Sequence, residues 1–276
     1  MKRLLSALML IFCALLVLSS CESPSEEKEI PFNSIDILDV GKADCIVINT
    51  GSKIVMIDTG EAENVPVVHS YMEKNGYTTI DTLILTHYDK DHIGGASNII
   101  STYNVKEVIE SRFSADTEAY ISYHNLISDK GIPLKELTQD FSFTYDSCDF
   151  KINIPKKHKY DKDNSNNSSL IISMRYKNAS FLFCGDAMEH RMTEFMSEDT
   201  SHYDFIKLPH HGDYLDCYEQ FFSQATPQYC AITCSKKNPA SSDTLALLEA
   251  RGIIAYQTRY GSIHISFEDG QITFNK

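Results

Sequence analysis

The sequence predicts a four-layer α/β (α+β) fold in which two mostly antiparallel sheets pack face to face and helices cover both outer sides. Three observations predict it. Many short runs of period-two or continuous apolar character are spaced like strands joined by hairpins. Six longer runs with helical spacing are interspersed among them, and many short hairpin-joined strands with helices between cannot be a simple doubly wound sheet. About 240 residues after position 34 show neither a second linker nor a tandem repeat, so they make one large domain.

In chain order, strand-like runs occupy 35–40, 44–49 and 53–58, and a helical run at 65–75 is stopped by Gly76. A strand at 80–86 leads into a helix at 95–103, then come a strand at 105–109 and a helix at 116–130 closed by Gly131. Strands at 141–145, 148–154, 169–175 and 179–184 follow as a block. A helix at 187–197, a strand at 204–208 and a helix at 214–225 lead to a strand at 229–234 and a helix at 241–251 ended by Gly252. The chain finishes with strands at 253–258, 262–267 and 271–274.

The N-terminus has a different character. Lys2-Arg3, an uncharged stretch from Leu4 to Leu18 and the sequence Leu18-Ser19-Ser20-Cys21 describe a secretory leader over 1–20. The apolar stretch is shorter than the roughly 20 residues that span a bilayer. Leu-Ser-Ser-Cys resembles the bacterial lipobox, which implies that Cys21 is lipidated and that the protein is an extracytoplasmic lipoprotein of the cell membrane. Residues 21–34 are polar, contain proline and have no period, so they read as a flexible tether to a domain at 35–276. The formal charge is −13, and loss of Lys2 and Arg3 takes it to −15. That balance counts against tight non-specific duplex binding, which depends on basic side chains displacing counterions. The local exceptions are Lys156-Lys157-His158-Lys159 with Lys162, and Lys236-Lys237. Six cysteines remain beyond Cys21 with no C-x-x-C pair, which argues against a zinc ribbon. Cys45, Cys184 and Cys230 sit in apolar runs as small buried hydrophobes.

The chemistry concentrates at Thr86-His87-Tyr88-Asp89-Lys90-Asp91-His92-Ile93-Gly94-Gly95, directly after the apolar Leu83-Ile84-Leu85. Four metal-ligand side chains, His87, Asp89, Asp91 and His92, fall on one turn, and the glycine pair lets the next helix start close by. Asp58 ends a strand as Asp-Thr-Gly, Asp186 follows Phe183-Cys184-Gly185, and His210-His211 follow Pro209 on a short turn. Local sequence leaves Asp58 equally readable as a turn residue and Asp186 as a helix cap.

These motifs, in this order, resemble the metallo-β-lactamase superfamily, with Asp89 where most members carry a second histidine. The variant is similar to the hydrolase domain of ComEC-type DNA-uptake proteins and their stand-alone relatives, through D-V-G-K-A-D at 39–44, I-D-T-G at 57–60, N-N-S-S-L at 166–170, F-C-G-D-A at 183–187 and K-L-P-H-H-G at 207–212. The resemblance implies an αββα sandwich with the site at one edge and two divalent metal ions. One ion would take His87, Asp89 and Asp186, with Asn167 in support. The other would take Asp91, His92, Asp186 and a histidine from the 210–211 pair. We favour His210 as that ligand, with His211 behind it or against a phosphate, and Asp58 orienting a ligand. The superfamily's third histidine is absent, since the chain reads Asn166-Asn167-Ser168-Ser169 where it would stand. Zinc is the first choice of metal, and the carboxylate-rich set also suits manganese.

The implied activity is a phosphodiesterase in which a metal-activated water attacks phosphorus, with Lys207 and Asn167 holding the non-bridging oxygens. Single-stranded DNA follows from the likeness to ComEC-type proteins; a small or wall-bound phosphodiester follows from the acidic surface. The alternatives are a lactone or lactam hydrolase and a non-catalytic substrate-binding lipoprotein of the same fold. Nothing in the sequence calls for a protein partner, and a monomer is expected.

Overall fold

Strands with apolar side chains on both faces need cover on both sides, and that requirement organises this molecule. The computed structural model describes residues 33–275. The leader expected at 1–20, Cys21 and nearly all of the expected tether therefore lie outside the described residues; Ser34, at the end of that expected tether, is already in the first strand.

The chain runs β1 (Ser34–Ile37), β2 (Ile46–Asn49), β3 (Ile54–Ile57), α1 (Val65–Lys74), β4 (Thr79–Ile80), β5 (Thr82–Leu85), α2 (Lys90–Ile93), α3 (Ala96–Thr102), β6 (Asn104–Val105), β7 (Val108–Ser111), α4 (Glu118–Lys130) and β8 (Leu134–Leu137). It continues through β9 (Phe141–Tyr145), β10 (Cys148–Asn153), β11 (Ile171–Tyr176), β12 (Ala179–Phe183), α5 (Glu189–Glu198), β13 (Phe205–Lys207), α6 (Tyr218–Ala225), β14 (Tyr229–Ile232), α7 (Ser242–Ala250), β15 (Ile254–Gln257), β16 (Ile263–Glu268) and β17 (Gln271–Asn275). One sheet has the order β17-β16-β1-β2-β3-β5-β7-β8 and the other β15-β14-β13-β12-β11-β10-β9.

Alternation along each strand sorts side chains between two interfaces. Ile46 and Ile48 of β2 join Phe150, Ile172, Phe181 and Phe205 in the core between the sheets. Val47 of the same strand points the other way, onto Val68, Met72 and Ile99 of the first helical layer. Leu182 and Ile206 of the second sheet likewise meet Met192, Phe195, Phe221 and Phe222 of α5 and α6. The result is the αββα sandwich. Local signals fix the helix ends: Thr117 accepts from the Tyr120 amide to start α4, and Gly131 closes it at φ 63°.

Each sheet is half parallel, so the expectation of mostly antiparallel sheets is corrected. β3, β5, β7 and β8 run parallel to one another, as do β12 to β15, while the remaining neighbours are antiparallel. The helical runs between these strands act as crossovers, which parallel neighbours require. β8 was missed because Lys135 and Glu136 break its apolar pattern at the sheet edge. All six described cysteines are buried and free. Among the described residues no helix is long and apolar enough to cross a membrane.

Candidate metal centre

Parallel strands leave their C-terminal ends on a common edge, and there the loops after β3, β5, β12 and β13 converge. Together they bring Asp91, His92, Asp186 and His211 into one cluster, with one ligand atom from each lying within 4.8 Å of all the others. Asp186 Oδ2 is 3.2 Å from His92 Nε2 and 3.1 Å from His211 Nε2, and His211 Nε2 is 3.3 Å from Asp91 Oδ2. Ligand bonds of about 2.1 Å in a tetrahedral shell put donor atoms about 3.4 Å apart, so the spacing suits a divalent ion.

The donors also lack other employment. His87 Nε2, His92 Nε2, His211 Nε2 and Asp186 Oδ1 are buried without a hydrogen bond. Burial opposes charge on His211, but Asp186, Asp91 and Asp44 overcome it and push the imidazole up to about 9. His92 is raised too, against its burial, by Asp186 and Asp58. Burial would raise Asp186, yet the two imidazoles beside it hold its carboxyl well below the usual range. A nest that favours this much positive charge suits a cation.

His87 and Asp89 stand beside the cluster rather than in it. His87 Nε2 is 3.6 Å from Asp89 Oδ2, its ring lies 4.1 Å from that of His92, and Ser165 donates to Asp89 Oδ1 at 2.5 Å. Asp58 is fully buried behind His92. It accepts from His92 Nδ1 at 2.7 Å and from the Thr86 amide and hydroxyl at 2.8 and 2.7 Å.

Three expectations are corrected. His211, not His210, joins the cluster. The turn carries three successive left-handed residues, His210 at φ 46°, His211 at φ 54° and Gly212 at φ 77°, which turn His211 inward and leave His210 between Asn166 and Asp213. Left-handed non-glycine backbone costs about 1 kcal/mol or more per residue and collects at functional sites. Lys207 is fully buried and ion-paired with Asp44, so it cannot serve as a surface contact for substrate phosphate. Asn167 is 1% exposed, donates to Lys162 O at 3.0 Å and accepts from the Arg191 amide at 3.0 Å, which makes it a loop brace instead of a ligand.

Sequence reasoning missed Asp44. It accepts from Lys207 Nζ and from Thr233 Oγ1, and its amide donates to Asp91 O at 3.1 Å, so it ties the two halves together under the centre. Its motif, D-V-G-K-A-D, was in view, but a lone acid after a loop carries no local sign of that partner. Thr233 gave no signal at all.

Residues 38–229 match the model of the Metallo-beta-lactamase superfamily. ComE operon protein 3 of Bacillus subtilis is 25% identical over 99% of this chain, and Recombination protein 2 of Haemophilus influenzae is 28% identical over 76% of it. The chain covers only 38% and 25% of those longer relatives. Among solved structures, the metallo-beta-lactamase fold protein YhfI from Bacillus subtilis aligns over 88% of this chain and 100% of its own at TM-score 0.53, with 11% identity, which shows the fold alone. The chain belongs to the metallo-beta-lactamase superfamily, as a hydrolase-fold domain akin to ComEC-type proteins and with a candidate centre for divalent metal.

Proposed function

We propose that the protein is an extracytoplasmic phosphodiesterase, held at the membrane by lipid on Cys21, that works with two divalent metal ions. The observation that carries this reading is Asp186, a buried carboxylate set between two imidazoles with one oxygen left without a hydrogen bond. Asp91, His92, Asp186 and His211 would hold one ion; His87, Asp89 and Asp186 would hold the other. Such ions supply Lewis acidity to phosphoryl oxygens and lower the pKa of water. The chain's own residues orient and hold: Asp58 fixes His92, Ser165 steadies Asp89, and the Lys207–Asp44 pair supports the floor.

The substrate class follows from charge placement. Arg112 donates to the carbonyls of Pro155, Lys156 and Lys157, and so pins the start of an exposed loop carrying Lys157, Lys159 and Lys162. The loop ends in Ser165 and Asn166, which touch Asp89 and His210. On a chain of net charge −13, this basic segment beside the centre favours a polymeric phosphodiester such as single-stranded nucleic acid over a small diester.

Metal analysis with a substrate panel tests the proposal. We expect bis-p-nitrophenyl phosphate and single-stranded DNA to be cleaved when Mn²⁺ or Zn²⁺ is supplied, with phosphocholine esters slower. Hydrolysis of nitrocefin or a homoserine lactone with the phosphodiesters untouched would overturn it. Asp89 is a harder donor than imidazole, so Asp89→His should weaken activity with manganese relative to zinc. Cys21→Ala should release the protein from membranes; unchanged fractionation and mass would rule out the anchor.

A further inference from the structure

The three imidazoles at the centre each turn Nε2 inward without a hydrogen bond and are held from behind through Nδ1. His92 meets a carboxylate directly. His87 and His211 do not: their Nδ1 atoms face threonine hydroxyls, Thr86 Oγ1 at 3.2 Å and Thr233 Oγ1 at 2.9 Å. A hydroxyl has one proton to give. Thr86 gives its proton to Asp58 Oδ2 at 2.7 Å, and Thr233 gives its own to Asp44 Oδ1 at 2.6 Å. Turning either proton towards the imidazole would leave two oxygen lone pairs facing each other at those distances. Each threonine oxygen must therefore accept from the ring.

On the reading of this centre as a metal site, we propose that Thr233 and Thr86 are positioning residues. They relay Asp44 and Asp58 to His211 and His87, fixing the proton on Nδ1 and leaving the Nε2 lone pair for an ion. Two buried carboxylates thus set three histidines. Asp58 serves the pair on its own sheet, and Asp44 reaches through Thr233 to the histidine delivered by the other sheet. Lys207 holds the opposite oxygen of Asp44 and leaves the relay oxygen to Thr233. Outer partners of this kind hold ligand rings in register, and their loss typically weakens metal binding about 10–100-fold.

The test compares Thr233→Val, which keeps the shape and removes the hydroxyl, with Thr233→Ser, which keeps the hydroxyl. Zinc affinity is measured by chelator competition, and imidazole protons are followed by NMR in zinc-loaded protein with ¹⁵N-labelled histidine. We expect slowly exchanging Nδ1–H signals in the parent, loss of the His211 signal alone in Thr233→Val, about 10–100-fold weaker zinc binding in that variant, and recovery in Thr233→Ser. Thr233→Val that keeps both the signal and the parent's affinity would overturn the relay. So would a serine variant as weak as the valine one, since packing would then be the cause. A parent chain that takes up no zinc sensitive to His92→Ala would instead overturn the metal reading on which the relay rests.

Discussion

The loop after β5 and the loop after β13 both end parallel strands and both deliver imidazoles to the centre, yet they are supported in opposite ways. The first, at 86–92, is braced by its own neighbourhood: Thr86 adjoins His87, and Asp58 comes from the adjacent parallel strand. The second, at 208–212, has left-handed backbone and takes Thr233 from its adjacent parallel strand, but its carboxylate, Asp44, comes from the other sheet and a distant part of the chain. A locally braced loop announces itself in sequence, whereas a remotely braced one exists only when the two halves close. Asp186 stands between them and belongs to both.

The largest expected effect removes that shared residue. Asp186→Asn should lower activity by at least about 100-fold, as loss of a catalytic metal would, while unfolding stays cooperative. His211→Ala should match it and His210→Ala should keep full metal stoichiometry; the reverse ranking would return the ligand role to His210. Next comes the joint beneath the second loop. Lys207→Met leaves the buried Asp44 carboxylate without its counter-charge and should cost about 3–5 kcal/mol in chemical denaturation. A cost under 1 kcal/mol would show that the second loop does not depend on this pair.

A smaller effect tests the turn itself. A Cβ on Gly212 would lie 2.7 Å from Ile232 Cγ2 at a backbone φ of 77°, so Gly212→Ala should destabilise by about 1–3 kcal/mol. Gly76 also has positive φ but meets nothing within 4 Å, so Gly76→Ala should cost less, and equal costs would remove packing as the cause.

The smallest effect is a pH dependence beside the first loop, where Tyr88 donates to Ser111 O next to Glu110. Burial pushes the Glu110 carboxyl up to about 8 from 4.5, against the hydrogen bond from Tyr123. The folded chain thus keeps a proton that the unfolded chain gives up between those values, so stability falls as pH rises through that window. His124, 3.1 Å from Glu110, is lowered from 6.5 by its burial and acts in the opposite sense below that pH. Between pH 6.5 and 8 the slope should therefore be steeper in the parent than in Glu110→Gln, by up to about 1.4 kcal/mol per pH unit. Parallel stability curves for the two proteins would place Glu110 in contact with water.

Most of the strands, the principal helices and the candidate ligands His87, Asp89, Asp91 and His92 were readable from local pattern, whereas Asp186 was singled out only by the likeness to the superfamily. Period-two alternation, glycine stops and an acid or histidine at a strand end are properties of a few neighbouring residues. What the sequence by itself determined, then, was which segments become strands and which turn gathers ligands. Only the closed structure decided that half of each sheet is parallel, that His211 rather than His210 faces the cluster, and that Lys207 and Asn167 are committed inside the protein. It also decided that Asp44 reaches Thr233 across 189 positions of sequence. The reason is physical: the direction of a side chain on a left-handed turn, and the partner of a buried charge, depend on which surfaces meet when two sheets pack. That meeting is set by the whole core, and no window of the chain contains it.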